Sequence, residues 1–167
     1  LEFAERGAFI NGAPCAAALV ADTAIAARRR WKFAAEATAL AIEAFDAPRG
    51  HFDAALGPLW GGAHHEAAFT ALNALLGAPR AKQRDHQAPV SYRIIPAVLA
   101  QAHAAVAAAE ETATVALSAV THNPTYLEPD AAHPHGRVVS TGGFHNALAA
   151  PAMDAVAGAS ADLCLLA

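Results

Sequence analysis

Apolar positions recur near the helical period over most of this chain, and the breaks fall at proline and glycine. The first long run begins at Pro14, whose fixed φ suits a first helical turn and whose missing N–H would find no helical partner there. From Pro14 to about Ala47, Leu19, Ala26, Phe33, Leu40 and Ala44 predict one long helix with these residues as its apolar seam, ended by Pro48-Arg49-Gly50. A loop through Gly57-Pro58 and Gly61-Gly62 leads to a second helix, about His64 to Leu76, stopped by Gly77-Ala78-Pro79. The polar stretch from Arg80 to Gln87 reads as a connection, and Pro89 starts the next element. A third helix is expected from about Ser91 to Val120, with Pro96 in its first turns or at a kink. Its seam is Ile95, Val98, Ala102, Val106, Ala109, Ala113, Ala116 and Val120, while Ala100, Ala104 and Ala108 mark a barely polar opposite face. Thr121-His122-Asn123-Pro124 ends it. Val138-Val139-Ser140 is a plausible short strand, and a last helix starts near Phe144, after Gly142-Gly143.

This pattern predicts an all-α fold: a long-helix bundle with long loops and at most a short strand or hairpin near 138–140. No internal repeat and no long linker divides it, so residues 1–167 read as a single helical domain. Composition then changes the picture. Hydrophobic residues make up 55% and charged residues 16% of the 167, richer in apolar and poorer in charged residues than ordinary soluble domains. Much of the excess is alanine, which favours helix but buries little area per residue. Helices apolar on nearly all sides belong inside larger assemblies. The first residue is Leu1 and the last run, Leu163 to Ala167, lacks a helix stop signal. The expectation is an excised piece of a larger helical protein.

Charge and cysteine content narrow the function classes. A net charge of −4 offers no basic footprint for nucleic acid, and the Arg28-Arg29-Arg30 run reads as a solvated helix face. Cys15 and Cys164 are lone thiols without disulfide or zinc spacing, which suits a reducing cytoplasm. Pro96, Gln101 and His103 interrupt the most apolar stretch, Ile94 to Ala109, making it a poor membrane span. His64-His65-Glu66 and His133-Pro134-His135 invite a metal reading, but adjacent histidines on a helix point about 100° apart. Neither offers zinc spacing, so surface or loop packing is expected and no metal.

Five segments carry a resemblance. Phe9-Ile10-Asn11-Gly12 resembles the Leu-Ile-Asn-Gly segment of histidine and phenylalanine ammonia-lyases, and His51-Phe52-Asp53-Ala54 resembles the segment after their long helix. Gln87-Ala88-Pro89-Val90-Ser91-Tyr92-Arg93 resembles Gln-Asp-Pro-Tyr-Ser-Leu-Arg. Thr121 to Pro124 is similar to Ser-Asn/Asp-Asn-Pro, and Ser140 to His145 to Ser-Gly-Gly-Asn-Phe-His. Order and spacing are compatible over nearly the whole chain, as for a fragment of the family's central helical region. The resemblance implies an ammonia-lyase or aminomutase acting on histidine or an aromatic amino acid. It also implies a methylidene-imidazolone (MIO) prosthetic group formed from an Ala-Ser-Gly tripeptide, and a pocket shared among subunits of a homotetramer. By resemblance, Asn11 contacts the prosthetic group or the substrate carboxylate. Arg93 pairs with that carboxylate, Gln87 lines the same pocket, and Phe144 packs on the substrate side chain.

The departures matter as much. Val90 stands where the family has a tyrosine, and Tyr92 lies two residues on, about 200° around a helix. Ala88 replaces the motif aspartate, Gly143 an asparagine, and Ala147 a glutamate. Gly158-Ala159-Ser160-Ala161 mimics the prosthetic tripeptide but follows the Phe-His segment instead of preceding it, and Ala161 replaces the glycine needed for cyclisation. The tripeptide is therefore expected outside this chain, and the isolated chain is expected to be inactive. Read without the resemblance, Asn11 caps the long helix, Arg93 pairs with Asp85 or a glutamate, and Phe144 is core. A catalytically degenerate homologue or a non-enzymatic helical scaffold remains an alternative to the active lyase.

Overall fold

The computed structural model describes residues 2–79 and 87–166, except the side chains of Phe3, Ala4 and Ala8. Seven helices appear among the described residues: α1 (Phe3–Ile10), α2 (Pro14–Phe45), α3 (Leu56–Trp60), α4 (Ala63–Leu75), α5 (Val90–Arg93), α6 (Ile95–Ser118) and α7 (Ala149–Cys164). Two 3-10 turns, Arg49–Phe52 and Gly143–His145, and a two-stranded antiparallel sheet of β1 (Thr125–Leu127) and β2 (Arg137–Val139) are the other elements among the described residues. The fold is all-α apart from that hairpin. None of the described helices is long and apolar enough to cross a membrane.

The chain forms two compact units, 1–24 with 109–153 and 25–108 with 154–167. In the first, Val20, Ala113 and Ala149 form a buried cluster, with Ala16, Ala116, Ala152 and Met153 packed against it. The hairpin pairs Thr125 with Val139, Tyr126 with Val138 and Leu127 with Arg137. Asp130 folds the connecting loop by accepting hydrogen bonds from the main-chain N–H groups of Ala132 and His133 and from the His133 ring. Those bonds, His133's side chain first, hold its carboxyl below the usual range. Gly136 has φ +70°, and a Cβ there would run into the Tyr126 ring.

In the second unit the core is Trp31, Ile42, Phe52, Phe69, Leu72 and Leu99, with Val156 from α7. Trp31 is buried with its indole N–H donated to the Leu99 carbonyl at 2.8 Å, which satisfies its polar handle. Asn73 donates to the carbonyls of Phe52, at 2.7 Å, and Phe69, at 2.8 Å, tying the first 3-10 turn to α4. Trp60 meets the Phe69 ring edge-on at 5.2 Å.

The seam expected for the long helix is corrected. Leu19, Phe33 and Leu40 are 59%, 71% and 71% exposed, whereas Ala17, Val20, Ala24, Ala27, Trp31, Ala35, Ala39 and Ile42 are buried. At about 100° per residue the two sets occupy roughly opposite faces of α2. Most of the buried positions are alanines, which let neighbouring backbones approach, with Val20, Trp31 and Ile42 as the large side chains among them. The third helix is also not continuous. Pro96 has no N–H for the Tyr92 carbonyl, and a turn at Ile94 separates α5 from α6. Ala100, assigned to the outer face, is buried. The last helix begins at Ala149 rather than near Phe144, which lies in the second 3-10 turn. Helices α1 and α3 have no counterpart in the periodicity, while β2 matches the expected strand to within a residue.

Candidate functional site

In the first unit Asn11 closes α1, its own N–H donating to the Gly7 carbonyl at 2.9 Å. Its side chain does not cap α2. The amide pairs with the main chain of Asn123: Nδ2 donates to the Asn123 carbonyl at 3.0 Å, and Oδ1 accepts the Asn123 N–H at 3.3 Å. The α2 start is instead served by Thr121, whose Oγ1 accepts the Ala13 N–H at 3.0 Å. Gly12 makes this approach possible. Its φ is +89°, and a Cβ would stand 3.0 Å from the Thr121 carbonyl oxygen.

Asn123 passes the connection onward. Its Oδ1 accepts from the Thr141 N–H at 2.8 Å and the Ser140 hydroxyl at 3.1 Å, and Thr141 Oγ1 donates to the His122 carbonyl at 3.1 Å. Residues 11–13, 121–123 and 140–141 are thereby one network, with the Asn123–Pro124 peptide cis. Asn11 retains one amide N–H and one Oδ1 lone pair beyond these bonds. Phe144 is exposed in the neighbouring 3-10 turn. A cavity of about 340 Å³ beside the network is lined by Val120, Thr121, Gly143, His145, Asn146 and Leu148.

In the second unit Gln87 is exposed, Ala88 buried and Val90 exposed at the start of α5. Tyr92 stacks on Phe45 with centroids 4.6 Å apart and planes 24° from parallel. Its ring is thus committed to packing. His51 accepts the Ala88 N–H on Nε2 at 3.2 Å. Burial, and then the charge of Arg93, lower the His51 imidazole below its ordinary 6.5. Arg93 is half-buried, and its Nε is buried without a hydrogen-bond partner among the described residues. Asp85, weighed above as its partner, lies outside the described residues.

The histidine pairs settle differently from each other. His64 and His103 share an Nδ1···Nδ1 hydrogen bond of 2.9 Å between α4 and α6, whereas His65 bonds the Gly61 carbonyl at 2.7 Å. Among the described residues no three metal-ligating side chains converge. Ser160 of the tripeptide lookalike donates back to the Val156 carbonyl at 2.7 Å within intact α7, so that stretch is ordinary helix.

Asn11 and Phe144 therefore belong to one unit, Gln87 and Arg93 to the other. The chemistry on offer is amide donation from the first and guanidinium donation from the second, both suited to a carboxylate or another anionic oxygen. Sequence reasoning missed the Thr121–Asn123–Thr141 network and the role of His51. The signal for His51 was present, since it opens one of the five segments that carry the resemblance.

Comparison with curated proteins and with solved structures gave no match. The family model for aromatic amino acid lyases matches residues 1–167, which span both Asn11 and the Gln87–Arg93 segment. This chain belongs to the aromatic amino acid lyase family.

Proposed function

We propose that the chain is part of an ammonia-lyase or aminomutase acting on histidine or an aromatic amino acid. The observation that carries this reading, beside family membership, is Arg93. A buried guanidinium Nε without a partner among the described residues costs about 1–3 kcal/mol unless an acceptor reaches it. A substrate carboxylate is such an acceptor and suits the planar fork of arginine. Gln87 lines the approach, and Phe144 packs on the substrate side chain. The remaining N–H of Asn11 serves the prosthetic group or the carboxylate. The residues present fit a methylidene-imidazolone group supplied by sequence outside this chain: Asn11 has a donor left, and no tripeptide here competes for the role. When bound, that group supplies the electrophile that engages the substrate amine.

A second reading, a catalytically degenerate homologue, is favoured by Val90 and by the Tyr92–Phe45 stack. No phenol stands at Val90, and a proton-transfer tyrosine contributes roughly 10²–10⁴-fold in rate. Restoring it tests both readings. In the full-length protein, Val90→Tyr raises ammonia release from histidine, phenylalanine or tyrosine by at least tenfold if the lineage lost catalysis through this residue. Robust wild-type turnover sinks the degenerate reading, and no turnover by either protein sinks the lyase reading. The isolated 167-residue chain is expected to form no urocanate or cinnamate above a protein-free blank.

The exposed Leu19, Ile25, Phe33 and Leu40 on α2 support assembly with further copies, as in the family's tetramers, because large apolar side chains along one helix face mark a contact surface. We place the protein in the cytoplasm, consistent with two exposed free thiols. A monomer by light scattering at micromolar concentration would contradict the assembly. If Arg93 and Asn11 share no pocket in the assembled oligomer, the non-enzymatic scaffold reading replaces the lyase.

A further inference from the structure

We propose that His51 is a positioning residue for carboxylate recognition: by accepting the Ala88 N–H on Nε2, it fixes the segment that carries Gln87 and Arg93. This rests on the reading of Arg93 as the carboxylate-binding group.

The segment has few other anchors. Ala88 is 3% exposed, so its N–H has lost water and needs an acceptor. Pro89 brings no N–H, and the N–H groups of Tyr92 and Arg93 both donate to the Pro89 carbonyl, within the segment itself. Among the described residues, apart from the local bond of the adjoining Ile94 N–H to the Val90 carbonyl, the bond to His51 is the one hydrogen bond that ties residues 87–93 to the rest of their unit. The Tyr92–Phe45 stack holds the middle of α5 but leaves the approach from Gln87 to Pro89 unfixed.

His51 itself is well held. It sits in the 3-10 turn Arg49–Phe52, beside the buried Phe52 ring, which it meets edge-on at 6.2 Å. The Phe52 carbonyl is in turn fixed by Asn73 of α4. Acceptance on Nε2 requires that this nitrogen carry no proton, so the neutral ring is protonated on Nδ1. A charged ring would lose the Ala88 bond and set a second cation near Arg93. Burial and the Arg93 charge both favour the neutral form. The ring thus supports Arg93 without neutralising it, leaving the guanidinium charge for a ligand.

The test uses cinnamate and its uncharged amide as probes on the full-length protein. His51→Phe keeps the ring bulk but removes the acceptor, and His51→Gln restores an acceptor oxygen at similar reach. Cinnamate affinity is expected to fall about tenfold in His51→Phe and to stay within about threefold of wild type in His51→Gln. Cinnamamide affinity is expected to change less than threefold in both. Equal loss for acid and amide would mean that His51 only holds the fold, and unchanged cinnamate binding in His51→Phe would mean that it positions nothing. Either overturns the proposal. Arg93→Gln separates the two claims. If it weakens cinnamate while His51→Phe does not, only the role of His51 falls. If wild type and Arg93→Gln bind cinnamate alike, or wild type does not bind it, the carboxylate reading falls and the proposal with it. Should His51→Phe not fold, His51→Leu and faster hydrogen exchange at the Ala88 amide provide the same decision.

Discussion

The Asn11 network and the Gln87–Arg93 segment treat their polar groups in opposite ways. Asn11 has both amide atoms engaged with the Asn123 main chain, and that residue is bound again by Ser140 and Thr141. Arg93 keeps a buried donor without a described partner, and among the described residues one hydrogen bond, to His51, ties its segment to a distant part of its unit. Both residues belong to motifs that resemble substrate-binding segments. One is mainly a strut with a donor to spare; the other, as proposed above, is a charged group held ready by a neutral neighbour.

The largest effect should come from breaking the strut at its closest approach. Gly12→Val puts a β-branched side chain at φ +89° against Thr121, costing about 3 kcal/mol or more from strain and overpacking. Thermal or denaturant unfolding should show it as a large drop in midpoint. Next comes the comparison itself. Asn11→Ala leaves the Asn123 N–H and carbonyl without their partners and should cost about 2 kcal/mol. Arg93→Gln removes a buried donor without a described partner and breaks no described hydrogen bond, so by the same measurement it should not destabilise and should raise stability by up to about 1–3 kcal/mol. If Arg93→Gln destabilises as much as Asn11→Ala, the contrast between the two regions is wrong.

The smallest effect is on pH. His51 has its folded value lowered from 6.5, so below that pH the unfolded chain binds the proton more readily. The stabilisation from the neutral ring is complete above about pH 6.5 and is lost as pH falls through the lower folded value. Between pH 7.5 and 5.5, wild type should therefore lose more stability than His51→Gln. Parallel pH profiles would mean that His51 does not titrate in this way.

The sequence made some of this legible because it lies in local chemistry. Pro14, Gly77-Ala78-Pro79 and Pro96 announced helix starts and stops, since missing N–H groups and left-handed tolerance act on their immediate neighbours. Val138-Val139 stood out as strand because β-branched side chains favour the extended backbone. The packing face of α2 was not legible. In an alanine-rich helix small residues can make up most of the packed face, so Leu19, Phe33 and Leu40 pointed the wrong way. Asn11 illustrates a different limit: residue type predicted a cap, but its partner lies 112 positions away, beyond any local pattern. His51 was visible as part of a motif, yet its role depends on Ala88, 37 residues on. Helical angle alone set Tyr92 apart from the family tyrosine, and the structure adds what its ring packs against, Phe45.

The most direct test of the account is a crystal structure of the full-length protein with cinnamate bound. The Arg93 guanidinium should lie within about 3 Å of the carboxylate oxygens, with the Asn11–Asn123 pair and the His51–Ala88 bond intact. A carboxylate held elsewhere, with Arg93 paired to an acidic side chain of its own protein, would contradict it.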